Sequence, residues 1–218
     1  MRINKYIAQN TGLSRRAVDK LIAEQQITVN GQTATAGQDV QNTDEIILEG
    51  QPINAKPVVT IMLNKPVGYV CSKAGQGSKT IYELLPEKYQ QLKTVGRLDK
   101  DSSGLILMTS DGDLAFELTH PSKQKLKRYE ISLNKPLEPL HQQMISNPGV
   151  TLEDGNSQLR LAKLSDDALA WEVIMHEGRN RQIRRTFESL GYQVKKLHRT
   201  NFGNYQLGQL ETGKIQEL

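Results

Sequence analysis

The sequence predicts an α+β protein, with a small helical and β unit at the N-terminus and a larger mixed domain built on a mostly antiparallel sheet with flanking helices. Three observations predict it. Two short helical patterns open the chain and are followed by Asn30-Gly31, a strong hairpin signal. Residues 49–57 then carry two prolines and a glycine, the composition of a linker. Beyond residue 58 strand-like runs outnumber helical ones, without the regular βαβ alternation of a parallel sheet. The expected division is residues 1–50, a linker at 51–57, and a second domain at 58–218.

In the first unit, residues 4–10 form a short helix before Thr11-Gly12, and Ser14 is an N-cap for a helix running to about residue 25. Val18, Leu21 and Ile22 recur at i, i+3 and i+4 and make one apolar stripe. Arg15, Arg16, Asp19 and Lys20 fall largely off it. Ile27-Thr28-Val29 and residues 45–48 read as strands. In the second domain, residues 58–63 are a strand ending at the breaker Asn64-Lys65-Pro66, and Leu105-Ile106-Leu107-Met108 is a buried strand before a helix capped by Asp113. Further strands are expected at 129–133, 158–164 and 170–175. Helices are expected at 137–145 and at 184–190, the second stopped by Gly191.

Composition narrows the function classes. The apolar share is 37%, and no run approaches the roughly 20 apolar residues a membrane span requires. Met1–Tyr6 shows no apolar leader, so a cytoplasmic location is expected. One cysteine, Cys71, excludes an intramolecular disulfide. The net charge of +4 says less than its distribution. Residues 1–20 hold Arg2, Lys5, Arg15, Arg16 and Lys20 against Asp19, and residues 177–199 hold seven basic side chains against two acidic ones. Two such blocks suit a polyanion-binding surface, although either one alone is equally well a solvated helix face.

The loop Gly96-Arg97-Leu98-Asp99-Lys100-Asp101-Ser102-Ser103-Gly104 stands immediately before a buried strand. A carboxylate there sits at a rigid sheet edge and can act as nucleophile or base if a cation keeps it ionised. Position alone favours a chemically silent turn rich in Asp and Ser over such an acid. Phosphate-loop, dinucleotide and Gly-x-Ser-x-Gly motifs are absent. The four histidines have no metal-ligand spacing, and neither a metal nor a cofactor is expected. Glu177-Gly178-Arg179-Asn180-Arg181-Gln182-Ile183-Arg184-Arg185 joins a strand to a helix, and Arg184 or Arg185 is placed to reach Asp99 across a cleft.

Those blocks, with Asn64-Lys65-Pro66-Val67-Gly68-Tyr69, Lys127-Arg128-Tyr129 and the pattern Leu197-His198-Arg199, Phe202-Gly203, Leu207, Leu210 and Gly213, resemble in order and spacing the RsuA-type family of rRNA pseudouridine synthases. Arg2, Ile3, Lys5, Tyr6, Ser14-Arg15-Arg16 and Val29-Asn30-Gly31 resemble the S-four RNA-binding domain which that family carries. The chain stops soon after Ile215-Gln216-Glu217-Leu218, where many members of the family run on with a further short helix. The resemblance implies an isomerase acting on a uridine of ribosomal RNA, with Asp99 as nucleophile; nothing in the sequence suggests more than a monomer. It further implies that Arg184 pairs with that carboxylate, Tyr129 stacks near the base, Leu197 lines the pocket and Arg97 approaches the RNA. Lys65, Lys127, Arg179 and Arg181 are expected at the substrate, and Arg2, Lys5, Arg15, Arg16 and Lys20 at the RNA backbone. The rival is an rRNA-binding assembly factor that keeps the fold without the chemistry; it leaves the coincidence of acid, tyrosine and arginine at three matching positions unexplained.

Overall fold

The computed structural model describes residues 1–218. Helices α1 (Ile3–Thr11) and α2 (Arg15–Ala23) pack against four short strands, β1 (Ile27–Val29), β2 (Gln32–Thr33), β3 (Ile46–Leu48) and β4 (Gln51–Pro52), ordered β2-β1-β3-β4. The Ser14 hydroxyl accepts a hydrogen bond from Ala17 N at 3.1 Å and so caps α2. Val18 and Ile22 of its stripe are buried and Leu21 packs beside them. Asn30 and Gly31 both adopt left-handed backbone, which closes the tight hairpin between β1 and β2. Residues 49–57 are not wholly a linker. Glu49 and Gly50 make a second left-handed turn, β4 pairs with β3, and Ile53 packs on the same core.

The larger unit contains β5 (Thr60–Lys65), β6 (Lys93–Val95), β7 (Ser103–Thr109), α3 (Gly112–Thr119), β8 (Lys127–Leu133), α4 (Pro139–Ser146), β9 (Val150–Leu152) and β10 (Gly155–Ser157). These are followed by β11 (Arg160–Lys163), β12 (Ala170–Met175), α5 (Gln182–Glu188), β13 (Val194–Phe202), β14 (Tyr205–Gln206) and β15 (Ile215–Glu217). Its nine-stranded sheet runs β11-β12-β8-β13-β7-β5-β15, with β14 on β13 and β6 on β7. All its pairings are antiparallel except β13 with β7, in agreement with the expected class. Along β7 side chains alternate between faces. Ile106 and Met108 enter a core shared with α4 and α5, while Leu105 and Leu107 enter a smaller one covered by α3. The core of the N-terminal unit is separate from both.

Several boundaries differ from expectation for physical reasons. β5 runs through Asn64 and Lys65, whose side chains are buried and hydrogen-bonded, and the chain leaves the strand only at Pro66. The cap of α3 is Asp111, which accepts from the backbone N–H groups of Asp113 and Leu114; Asp113 lies in the first turn. β13, the nine-residue strand at the middle of the sheet, was not anticipated, because Lys195, Lys196, His198, Arg199, Thr200 and Asn201 hide its apolar alternation.

At the parallel junction Gly104 faces Arg199. Its φ is +104°, and a Cβ there would lie 2.6 Å from Arg199 N and closer still to the Arg199 carbonyl oxygen. Neither strand can retreat without losing its other partner. Gly104→Ala is expected to cost about 2–4 kcal/mol in a denaturant unfolding experiment, from backbone strain plus displacement of a packed strand. A loss below about 1 kcal/mol would show that the junction yields.

Candidate active site

Strand β6 and strand β7 are joined by the loop that carries Arg97, Leu98, Asp99 and Asp101. A cleft of about 460 Å³ opens beside it, within the range of small-molecule sites. Arg97 and Asp99 come to this cleft from the loop, Lys127 and Tyr129 from β8, and Leu197, Arg199 and Phe202 from β13. The segment 179–184 forms the facing side. Tyr129 and Leu197 are nearly buried and make two walls, while Arg97 is exposed. The Asp99 side chain retains 38% of its exposure, so its carboxylate remains accessible from the cleft.

The charge network differs from the expected one. The cation closest to the Asp99 carboxylate is Arg181, with Nη1 3.5 Å from Oδ2. Arg184 instead turns to Asp101. Its Nε lies 3.2 Å from Asp101 Oδ2, near enough for ion pairing but misaligned for a hydrogen bond, and its Nη atoms donate to Asp101 O at 2.9 Å and Val194 O at 2.6 Å. The reason is hydrogen bonding: the carbonyls of Asp101 and Val194 take both arms of the Arg184 fork and hold it away from Asp99. Arg181, held in left-handed backbone just before α5, places a bidentate fork on Asp101 at 3.0 and 3.1 Å as well. Burial acts to raise the Asp101 pKa, but the Arg181 hydrogen bonds and the Arg184 and Arg181 charges outweigh it and hold the carboxyl below its ordinary value.

Two residues expected at the substrate are committed elsewhere. Lys65 is fully buried, and its ammonium donates to the carbonyls of Ser102 (2.6 Å), Asp99 (3.0 Å) and Pro66 (3.1 Å). It braces the loop from behind and does not line the cleft. Arg179 borders the cleft but spends its Nη atoms on Asp154, the carbonyls of Gly155 and Asn156, and Glu177. It therefore fastens the β9–β10 hairpin. Of the N-terminal basic residues, Arg15 and Arg16 are exposed and enter no ion pair. Lys20 lies 3.5 Å from Glu24, Arg2 bonds Gly37 O and approaches Asp39 at 3.4 Å, and Lys5 is ion-paired to Asp113 of the larger unit. Sequence reasoning did not single out Asp101 or Arg199. Asp101 sat two positions from a more obvious acid, and Arg199 lay inside a strand that was not recognised.

Residues 59–189 match the family model described as RNA pseudouridylate synthase. The chain belongs to that family. Residues 1–46 match the S4 domain, so this pseudouridylate synthase carries an S4 module at its N-terminus. It is 36% identical to the ribosomal small subunit pseudouridine synthase A of Pasteurella multocida, over all of this chain and 96% of that protein. It is 34% identical to the ribosomal large subunit pseudouridine synthase B of Bacillus subtilis, over all of this chain and 91% of that one. A crystal structure described as a pseudouridylate synthase superposes with a TM-score of 0.70 at 30% identity, covering all of this chain and 96% of the other. No helix is long and apolar enough to cross a membrane.

The Asp101 network predicts an acid-sensitive contribution to stability. A carboxyl held below its ordinary value of 3.8 contributes stability that is present above the unfolded-state pKa and lost as pH falls through the folded-state pKa. Asp101→Asn is expected to be less stable than wild type at neutral pH, with the difference shrinking below about pH 4. Urea unfolding of both proteins from pH 2 to pH 7 checks it; a constant difference across that range would remove the assigned role.

Proposed function

We propose that the protein is an rRNA pseudouridine synthase in which Asp99 is the catalytic nucleophile. The observation that carries this reading is the accessible Asp99 carboxylate, ion-paired to Arg181 and set in one cleft with the Tyr129 ring and the Leu197 side chain. The reaction breaks the bond between uracil N1 and ribose C1′, turns the base and joins C5 to C1′; C5 loses a proton and N1 gains one, so no atom is gained or lost. An ionised carboxylate beside C1′ serves the sugar, either by attack or by stabilising its developing positive charge. Arg181 stands 3.5 Å from the Asp99 carboxylate and orients it, and the Tyr129 and Leu197 walls hold the detached base while it turns. Arg184 acts one step away, by fixing Asp101 and through it the Arg181 fork. Arg97, exposed at the cleft mouth, meets the RNA strand. Ribosomal RNA is the substrate class because full-length relatives are named for both ribosomal subunits.

Asp99→Asn keeps shape and hydrogen bonding while removing the charge. It is expected to fold, to bind rRNA as wild type does, and to form no pseudouridine in rRNA from cells lacking this gene. Chemical labelling of pseudouridine reads the outcome, and activity within about tenfold of wild type would end the assignment.

The N-terminal module is assigned to delivery of the RNA. Arg15 and Arg16 are the free cations of α2, so Arg15→Gln with Arg16→Gln should spare the core. If each meets a phosphate, the log–log salt slope of rRNA binding falls by about 1.4 to 1.8 units for the pair. The turnover number on saturating RNA stays near wild type while the Michaelis constant rises. A slope equal to that of wild type would place this helix face away from RNA.

A further inference from the structure

Beyond the acid and its walls, the cleft holds a charge that nothing in the protein neutralises. Arg199 is 2% exposed, and its Nε donates to Leu105 O at 2.7 Å. Its Nη2 is buried without any hydrogen-bond partner. The guanidinium carbon lies 4.7 Å from the centroid of the Phe202 ring, and Lys127 Nζ lies 5.5 Å from the same centroid. Lys127 has only carbonyls for company, Glu177 O at 3.2 Å and Lys125 O at 3.4 Å. No carboxylate comes within ion-pairing distance of either cation. Burial and the neighbouring Arg199 charge both push the Lys127 ammonium below its ordinary pKa, with Glu177 opposing.

Two like charges sharing one ring in a partly dry cleft carry an uncompensated desolvation and repulsion cost. What sets Arg199 apart from other unpartnered groups is the second unpaired cation beside it, and an acceptor the protein does not supply would relieve both. The sheet says where the acceptor lies relative to the base. Tyr129 and Lys127 are two residues apart on β8, and Leu197 and Arg199 are two apart on β13, with Arg199 opposite Tyr129. In each strand the cation is therefore one pleat, about 6.6 Å, beyond the side chain that walls the base. The bulge between Arg199 and Asn201 shifts the register by one, which turns Phe202 rather than Asn201 toward this face, opposite Lys127. One pleat is the scale of the step from a nucleoside base to its own backbone.

We propose that Lys127 and Arg199, seated on Phe202, form a phosphate subsite that takes one backbone phosphate of the nucleotide whose base lies against Tyr129. The proposal rests on the reading that RNA fills this cleft. The phosphate oxygens accept from the Arg199 guanidinium and from the Lys127 ammonium, set one negative charge between the two cations, and fix the ribose over Asp99. A base carbonyl satisfies one donor but leaves the double charge in place, so an anion fits better.

The test uses the full chain and rRNA from cells lacking this gene, with folding of each variant checked by circular dichroism. Lys127→Met, Arg199→Gln, Arg199→Lys and the Lys127→Met/Arg199→Gln double variant are compared for binding against salt concentration and for both kinetic constants. The expected double variant loses about 0.7 to 0.9 units of log–log salt slope, the value of one phosphate, and not twice that. Lys127→Met alone loses part of it and raises the Michaelis constant by about tenfold or more. Arg199→Lys, which keeps the charge, recovers most of the slope lost by Arg199→Gln. A wild-type slope in folded Lys127→Met overturns the proposal, and so does a double variant that loses two full contacts, since the two cations would then serve separate phosphates. Should the Arg199 variants fail to fold, Lys127→Met decides the matter by itself. If wild-type protein forms no pseudouridine in this RNA, the proposed function falls, while the binding slopes still decide whether the subsite exists.

Discussion

The candidate site depends on a buried ammonium. Lys65, fully excluded from solvent at the end of β5, donates to the carbonyls of Asp99, Ser102 and Pro66. Burial pushes its pKa down and the Arg199 charge adds to that, while the Asp99 and Asp101 carboxylates pull the other way. Burying a lone ammonium costs several kcal/mol, so three carbonyl acceptors in good geometry are the minimum that keeps it folded in place. The loop thereby loses its freedom. Gly68 N bonds Lys100 O at 2.7 Å and Cys71 Sγ meets the Leu98 backbone, so the segment from 98 to 102 is tied to the stretch following β5 at each turn. A carboxylate on an ordinary loop would sample many positions; on this one, Asp99 stands at a fixed height above the sheet.

With the loop held from behind, the arginines can act from the front. Asp101 receives both Arg181 and Arg184, and the two guanidinium groups would repel each other without it. The acid that pairs most fully, Asp101, is thus not the one that lines the cleft. Asp101 absorbs the bidentate fork and leaves Arg181 a 3.5 Å approach to Asp99 that does not occupy both its oxygens. The parallel pairing of β7 with β13 completes the arrangement. It sets the strand carrying Leu197 and Arg199 directly beside the start of β7, at a spacing only Gly104 permits.

The Ser14 cap, the Asn30-Gly31 turn and the buried β7 were legible in the sequence, because each has a local physical cause. The sequence also brought Asp99, Tyr129, Leu197 and Arg97 to attention through the resemblance of their motifs, and the structure gathers all four at one cleft. What it did not show was the distribution of partners. Lys65, Arg179 and Lys5 are all cations in basic or motif-bearing stretches, yet each is taken up by protein acceptors that are remote in sequence, at 99–102, at 154–156 and at 113. Choosing between Arg181 and Arg184 as the partner of Asp99 needs the backbone conformation of residue 181, which no local rule dictates. β13 escaped notice for a related reason: a central strand that furnishes a polar cleft on one face does not alternate as a core strand does.

The Lys5–Asp113 pair also bears on how the N-terminal module meets the rest. α3 begins beside Asp113 and ends at Leu118 and Thr119, which border the cleft, so this helix of eight residues is a strut of about 12 Å between the module and the site. The remaining ties are of the same kind, Lys93 Nζ to Leu13 O at 2.7 Å and Lys56 N to Asn10 Oδ1 at 2.8 Å. No hydrophobic cluster spans the two units. A pair with Asp113 three-quarters exposed contributes about 0–1 kcal/mol, and hydrogen bonds to half-exposed groups little more. A single good phosphate contact is of comparable size. The module is thus held in a defined place by polar contacts of modest strength and not by a shared apolar core.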